Sequence, residues 1–194
     1  MKQDYLKILR DNNVKNFYHF TSIVNLDSIL KNGIMNRNDM DNRHIKYLST
    51  DFNRNDNQLD CVSLSLQTTN KGMLHSKKNK INSEWIVIEL DANSIIDNYY
   101  DKIYYCKYNA SSQNIVSLLS TNKNYLKSIE AFKDMFYQKG IPNYQAELLI
   151  NGNISIDYIE NIYVENFENK LLVEQILKNN LIETIKVVIR RELF

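Results

Sequence analysis

Residues 17–33 read Phe-Tyr-His-Phe-Thr-Ser-Ile-Val-Asn-Leu-Asp-Ser-Ile-Leu-Lys-Asn-Gly, the clearest local structure in the chain. The aromatic run Phe17-Tyr18-His19-Phe20 predicts a strand. Thr21 or Ser22 can cap a helix whose apolar stripe is Ile23, Leu26, Ile29 and Leu30, and Gly33 can close it in the left-handed conformation. His19 therefore stands at a strand end, just before a helix N-terminus. Two readings are open there. The histidine can stabilise the turn, or it can join the Thr21 hydroxyl and the helix N–H groups in holding ribose hydroxyls or phosphate.

Outward from this unit, short strands alternate with a few helices. Tyr5, Leu6, Ile8 and Leu9 predict an amphipathic helix before it. After it, residues 35–57 are polar and read as a long loop of the kind that is often functional. Val62, Leu64 and Leu66 alternate with Ser63 and Ser65, a half-buried strand, and the polar basic stretch 67–82 follows. Trp85-Ile86-Val87-Ile88-Glu89-Leu90 reads as a central strand, with further strands over 102–108, 146–150, 161–164 and 184–189. Helices are expected over 125–137 and 171–178. The class is α+β, with residues 1–194 forming one domain.

Composition removes several function classes. The 194 residues include four glycines and one proline, and no two glycines are spaced as G-x-G-x-x-G or as a phosphate-binding P-loop. Glycine-loop dehydrogenases, NTPases and kinases are disfavoured. A net charge of +1 supplies no global field for nucleic acid, so such binding needs a local patch. Cys61 and Cys106 are too far apart for a zinc or redox motif and read as half-buried small hydrophobes in a reducing compartment. No signal-peptide or membrane-span pattern is evident, so a cytoplasmic protein without membrane contact is expected.

A few side chains can carry chemistry. Glu147 lies in the apolar run Ala146-Glu147-Leu148-Leu149-Ile150, after the break made by Gly140 and Pro142. Alternation alone allows a solvated carboxylate; the functional reading is a carboxylate aimed into a cleft by a rigid strand. Arg54 sits in the polar loop. Lys71, Lys77, Lys78 and Lys80 form the densest basic cluster, either solvated or in contact with phosphate. Metal-ligand spacing is absent, and no metal is expected.

In order, these pieces resemble one family. Phe17-Tyr18-His19-Phe20-Thr21, Asn25-Leu26, Ile29-Leu30 and Gly33-Ile34 look like the opening of the DarT-type DNA ADP-ribosyltransferase toxins. Arg54 to Asp56, Val62-Ser63-Leu64-Ser65-Leu66, Met73-Leu74, Asn109-Ala110-Ser111 and Gln145-Ala146-Glu147-Leu148-Leu149 follow in register, so the resemblance spans residues 17–164. The chain departs from the family pattern at Thr69-Asn70-Lys71-Gly72 and at Lys77-Lys78, beside the substrates.

The resemblance implies an ADP-ribosyltransferase-like split β-sheet with an NAD cleft between two sheets, flanked by helices. It implies NAD as co-substrate, held by His19, Phe20, Thr21, Asn25, Ser63 and Met73, and transfer of ADP-ribose to guanosine or thymidine in single-stranded DNA. Glu147 and Arg54 would be catalytic, with Arg43 the alternative arginine. Lys71, Lys77, Lys78, Asn109, Asn143, Tyr144 and Gln145 would meet the nucleic acid. The implied partner is an antitoxin with ADP-ribosyl-hydrolase activity. The competing readings are transfer to RNA or protein, a tRNA 2′-phosphotransfer, or a nucleic-acid-binding module that kept the fold without activity.

Overall fold

The computed structural model describes residues 2–49, 56–66 and 70–194. Along the chain come α1 (Lys2–Asp11), β1 (Asn16–Ser22), α2 (Leu26–Asn32), α3 (Arg37–Asn42), β2 (Cys61–Leu66), α4 (Lys71–Lys78), β3 (Trp85–Asp91), α5 (Ala92–Tyr99) and β4 (Ile103–Cys106). Then follow α6 (Gln113–Thr121), α7 (Lys123–Leu126), α8 (Ile129–Asp134), the hairpin strands β5 (Phe136–Gln138) and β6 (Ile141–Pro142), β7 (Glu147–Asn151), β8 (Ile159–Val164), α9 (Phe167–Asn179) and β9 (Lys186–Ile189).

Among the described residues, seven strands form one sheet in the order β4-β7-β2-β1-β3-β8-β9, antiparallel except for the β8–β9 pair. β1 runs beside β3 for its whole length, from Asn16 opposite Asp91 to Ser22 opposite Trp85. Among the described residues, its other neighbour, β2, pairs through Phe17 with Leu66 and Tyr18 with Ser65. Beyond Tyr18 the two strands part, and β2 continues against β7 from Ser65–Glu147 to Cys61–Asn151. The expected split is thus one continuous sheet opened between β1 and β2, not two separate sheets.

Side-chain alternation sorts the sheet into two unlike faces. Phe17, Leu64, Ile86, Ile88, Leu148 and Ile162 point to the first face, into the main core with α1, α2, α5, α8 and α9. Each such side chain contributes about 1.5–3 kcal/mol relative to exposure, so this face supplies most of the stability. The second face carries two smaller clusters. One gathers Tyr104, Cys106 and Leu149 with α6 and α7; the other gathers Tyr18, Val87, Tyr163 and Leu193. Ser63, Ser65 and Glu147 lie on this face by register, beside the parting strands.

Several local expectations are corrected. The polar stretch 35–57 contains α3, whose N-cap Asn36 accepts from the Asp39 N–H. Helical order there comes from capping, which a scan for apolar stripes misses. The basic stretch 67–82 contains α4, again capped by an asparagine, Asn70. The single helix expected over 125–137 is α7 and α8, separated where Ser128 caps the second. Cys61 and Cys106 are fully buried rather than half-buried, and burial first, then the charges of Glu147 and Asp56, push the Cys106 thiol up.

The walls of the opening are tied from outside it. Asn153 accepts from the Asn36 N–H and Nδ2 at 2.9 Å and donates to Asp39 at 2.5 Å, fixing α3 against the loop after β7. Gly33 makes this approach possible. Its φ is +79°, and a Cβ there would lie 2.4 Å from the Ile154 carbonyl oxygen. Ile34 and Ile154 then exchange both backbone hydrogen bonds at 2.9 Å.

Candidate active site

A cavity of about 340 Å³ occupies the place where β1 and β2 separate, a size that suits a small-molecule ligand. It passes through the split toward α2 and α3. Its lining includes His19, Phe20, Thr21, Asn25, Ser63, Met73, Lys77, Asn109 and Glu147. Chain segments distant in sequence are therefore brought to one cleft, including all six residues expected to hold NAD.

His19 bridges the opening. Its Nδ1 lies 3.0 Å from the Ser63 carbonyl oxygen, and a carbonyl only accepts, so Nδ1 is the N–H donor of that bond. Asn25 donates to Thr21 Oγ1 and to the Leu48 carbonyl at 3.0 Å and accepts from the Leu48 N–H at 2.7 Å. Both amide hydrogens are committed to these bonds, so Asn25 builds the wall that carries Leu48. Phe20 packs tilted against Trp85 with ring centroids 6.2 Å apart, and the Lys77 ammonium stands 5.8 Å from the Phe20 ring.

At the helix entrance, one of the two expected caps is used. Ser22, not Thr21, caps the short 3₁₀ turn Ile23–Asn25, accepting from the Val24 N–H at 3.3 Å, and the Ile23 N–H donates to the Glu84 carbonyl. Those N–H groups have protein acceptors already, so they are not the anion cradle inferred from sequence. Thr21 faces the cleft as the partner of Asn25.

Glu147 opens β7 and is only 7% exposed. β7 is an interior strand, so its outward alternation points to the cleft and not to bulk solvent. Asn109 Nδ2 donates to Glu147 Oε1 at 3.2 Å, and the Ala110 N–H donates to Oε2 at 2.8 Å. Hydrogen bonds to both oxygens fix the plane of the carboxyl group. Asp56, 7% exposed, places a second carboxyl in the same lining.

The residues expected to meet nucleic acid divide into different groups. Asn109 points at Glu147, so its side chain is part of the carboxylate's setting. Asn143 is 3% exposed, and its Oδ1 accepts from the Gln145 N–H at 3.0 Å. It shapes the turn before β7 and is too buried to read a base. Tyr144, in contrast, is 64% exposed, with its hydroxyl accepting from Gln145 at 3.1 Å. Lys77 and Lys78 diverge because neighbours on a helix project about 100° apart. Lys77 lines the cleft, whereas Lys78 pairs with Glu165 at 2.5 Å and sits over Phe194. Lys71 is exposed at the start of α4.

Arg54 lies outside the described residues. Arg43, the alternative arginine, is exposed at the end of α3 and is not in the cavity lining, whereas Arg37 is. Sequence reading missed Arg37. The available signal was the Asn36 cap with Asp39 three residues on, which announces a helix and therefore a fixed direction for Arg37. Asp56 carried no comparable signal. Among the described residues, no three His, Cys, Asp or Glu side chains gather as metal ligands, and no helix is long and apolar enough to cross a membrane.

The fold has solved counterparts. Thermus sp. 2.9 DarT in complex with ADP-ribosylated ssDNA is 17% identical with a TM-score of 0.67, over 94% of this chain and 97% of that one. The same protein in complex with NAD⁺ is 18% identical with a TM-score of 0.65, over 93% and 97%. Thermosipho africanus DarTG in complex with ADP-ribose gives 17% and 0.61 over 93% of this chain, which spans only 51% of the DarTG chain. No curated protein sequence matches. A protein-family model described as "ssDNA thymidine ADP-ribosyltransferase, DarT" matches residues 18–194. By that match, which covers nearly the whole chain, the protein belongs to the DarT family.

Proposed function

We propose that this protein transfers ADP-ribose from NAD⁺ to thymidine in single-stranded DNA. The observation that carries the reading is Glu147, buried with both oxygens held, in the same cavity as His19, Thr21 and Ser63. The family description supplies the base that the sequence left open between guanosine and thymidine. The solved relatives with NAD⁺ and with ADP-ribosylated ssDNA support both substrates.

The chemistry follows from charge. As the bond from C1′ of the nicotinamide ribose to nicotinamide breaks, its electron pair leaves with nicotinamide and C1′ acquires positive charge. A fixed carboxylate in a partly dry cleft stabilises that charge without reorganising. The thymine base, already substituted at N1, has one N–H, at N3. Glu147 takes that proton as N3 bonds to C1′, and later passes it to water. His19, in the cavity lining, is assigned to the ribose hydroxyls of NAD⁺. Arg37 is the described arginine of the lining and suits the diphosphate; Arg54 is assigned to the same work on family resemblance.

A base must be unstacked before it can enter a cleft, which favours single strands. Tyr144, exposed three residues before Glu147, offers a ring for that base or its neighbour. The protein is further assigned as the toxin of a pair whose antitoxin removes the ADP-ribose, a reading supported by the longer DarTG relative. Incubation with labelled NAD⁺ and separate pools of single-stranded DNA, RNA and protein tests the acceptor. Label on DNA alone is expected; label confined to RNA or protein, or none at all, contradicts the assignment.

A further inference from the structure

We infer that Asn109 is a positioning residue for Glu147 and not a contact to nucleic acid, and that the run Asn109-Ala110-Ser111 works as a clamp on the carboxylate. The inference rests on the catalytic assignment of Glu147 above.

The bonding fixes which way the Asn109 amide faces. Asn109 Oδ1 accepts from the Ser111 N–H at 2.9 Å and from the Ser111 hydroxyl. An N–H can only donate, so the atom facing Ser111 is oxygen and the atom facing Glu147 is Nδ2. The side chain is thus locked on one side by its own turn and spends a donor on Oε1. The next backbone N–H, of Ala110, takes Oε2. Two consecutive residues therefore hold both carboxylate oxygens, and the third holds the first. Ala110 is 1% exposed, which anchors the backbone carrying its N–H.

The consequence is orientation. A rotating carboxylate would present its oxygens to C1′ and to the attacking base only part of the time, and a misplacement of about 1 Å can cost a reaction about 100-fold. The clamp comes from the loop after β4, and Cys106 at the end of β4 pairs with Glu147 itself. The register of one strand pair therefore sets the distance from clamp to carboxylate.

Asn109→Asp isolates the contact. It keeps the oxygen that Ser111 donates to and replaces the donor facing Glu147 with a second oxygen. At saturating NAD⁺ and oligonucleotide, kcat should fall about 10- to 100-fold, while KM for NAD⁺ moves less than about threefold. Asn109→Ala, which adds no charge, should lower kcat in the same direction with oligonucleotide Kd unchanged. Melting temperatures give a readout independent of activity. Glu147→Gln should restore much of the melting temperature, though not the activity, that Asn109→Asp loses, because the new amide at 147 can donate to the new carboxylate at 109. Additive melting shifts, or a loss confined to oligonucleotide Kd with kcat retained, would overturn the clamp. If the wild-type protein labels no DNA, the functional assignment fails while the melting cycle still reports on the contact.

Discussion

Glu147 and Tyr144 stand three residues apart and are opposite in kind. The carboxylate is buried and held by two donors, while the ring is exposed on the turn before β7. Tyr144→Ala removes a stacking surface worth about 1–3 kcal/mol per base. Oligonucleotide Kd, measured by fluorescence anisotropy, should weaken about 5- to 100-fold, with NAD⁺ affinity unchanged. Sequence reading singled out both residues but not what surrounds them. Alternation left Glu147 open between solvent and cleft, because a sequence does not reveal that β7 lies inside the sheet with its polar face at a split. Asn109 and Asn143 carried the signature of polar loop residues. Only their partners, Glu147 for one and the Gln145 N–H for the other, show what they hold. Another buried carboxylate, Glu89, was hidden in the same way. It accepts from Asn16, Tyr18, Asn161 and Tyr163 across three strands, and burial followed by the Glu89 charge pushes the Tyr18 hydroxyl up, so that it stays a donor.

Among the elements, β1 with α2 was the most legible because every local signal agreed: aromatic strand, capping serine, apolar stripe and Gly33 as the stop. Helices α3 and α4 were missed for the opposite reason. Both are short and polar and are started by asparagine caps, so apolar periodicity carried no information about them. For β9 the sequence predicted a strand but not its parallel place beside β8, since pairing partners are a tertiary property. Gly33 is the element-scale test. With φ at +79° and a carbonyl oxygen 2.4 Å from where its Cβ would stand, Gly33→Ala meets backbone strain and a backbone clash together. Urea denaturation should show a loss of about 2–3 kcal/mol or more. NAD⁺ affinity should fall with it, because the Ile34–Ile154 bridge that holds α3 to the cleft is displaced.

At the scale of the molecule, scarcity of glycine and a net charge of +1 first read as obstacles to nucleotide and DNA chemistry. The fold removes the first obstacle. A sheet parted between β1 and β2 makes a cavity from strand backbones and small serines, with no glycine loop. For the second, Lys71 and Lys80, exposed on or beside α4, and Lys77 at the cleft are the local basic residues proposed to meet DNA. Lys78 is removed from that set by Glu165. Glu147, as held in this cleft, is proposed to drive transfer to thymidine. The most direct test is mass spectrometry of nucleosides digested from a single-stranded oligonucleotide containing all four bases, after incubation with NAD⁺ and wild-type protein or Glu147→Gln. Thymidine carrying one ADP-ribose is predicted from the wild type, with a yield lower by about 10²- to 10⁴-fold from a variant that still binds NAD⁺. ADP-ribose on another base, or an undiminished adduct from Glu147→Gln, would contradict the account.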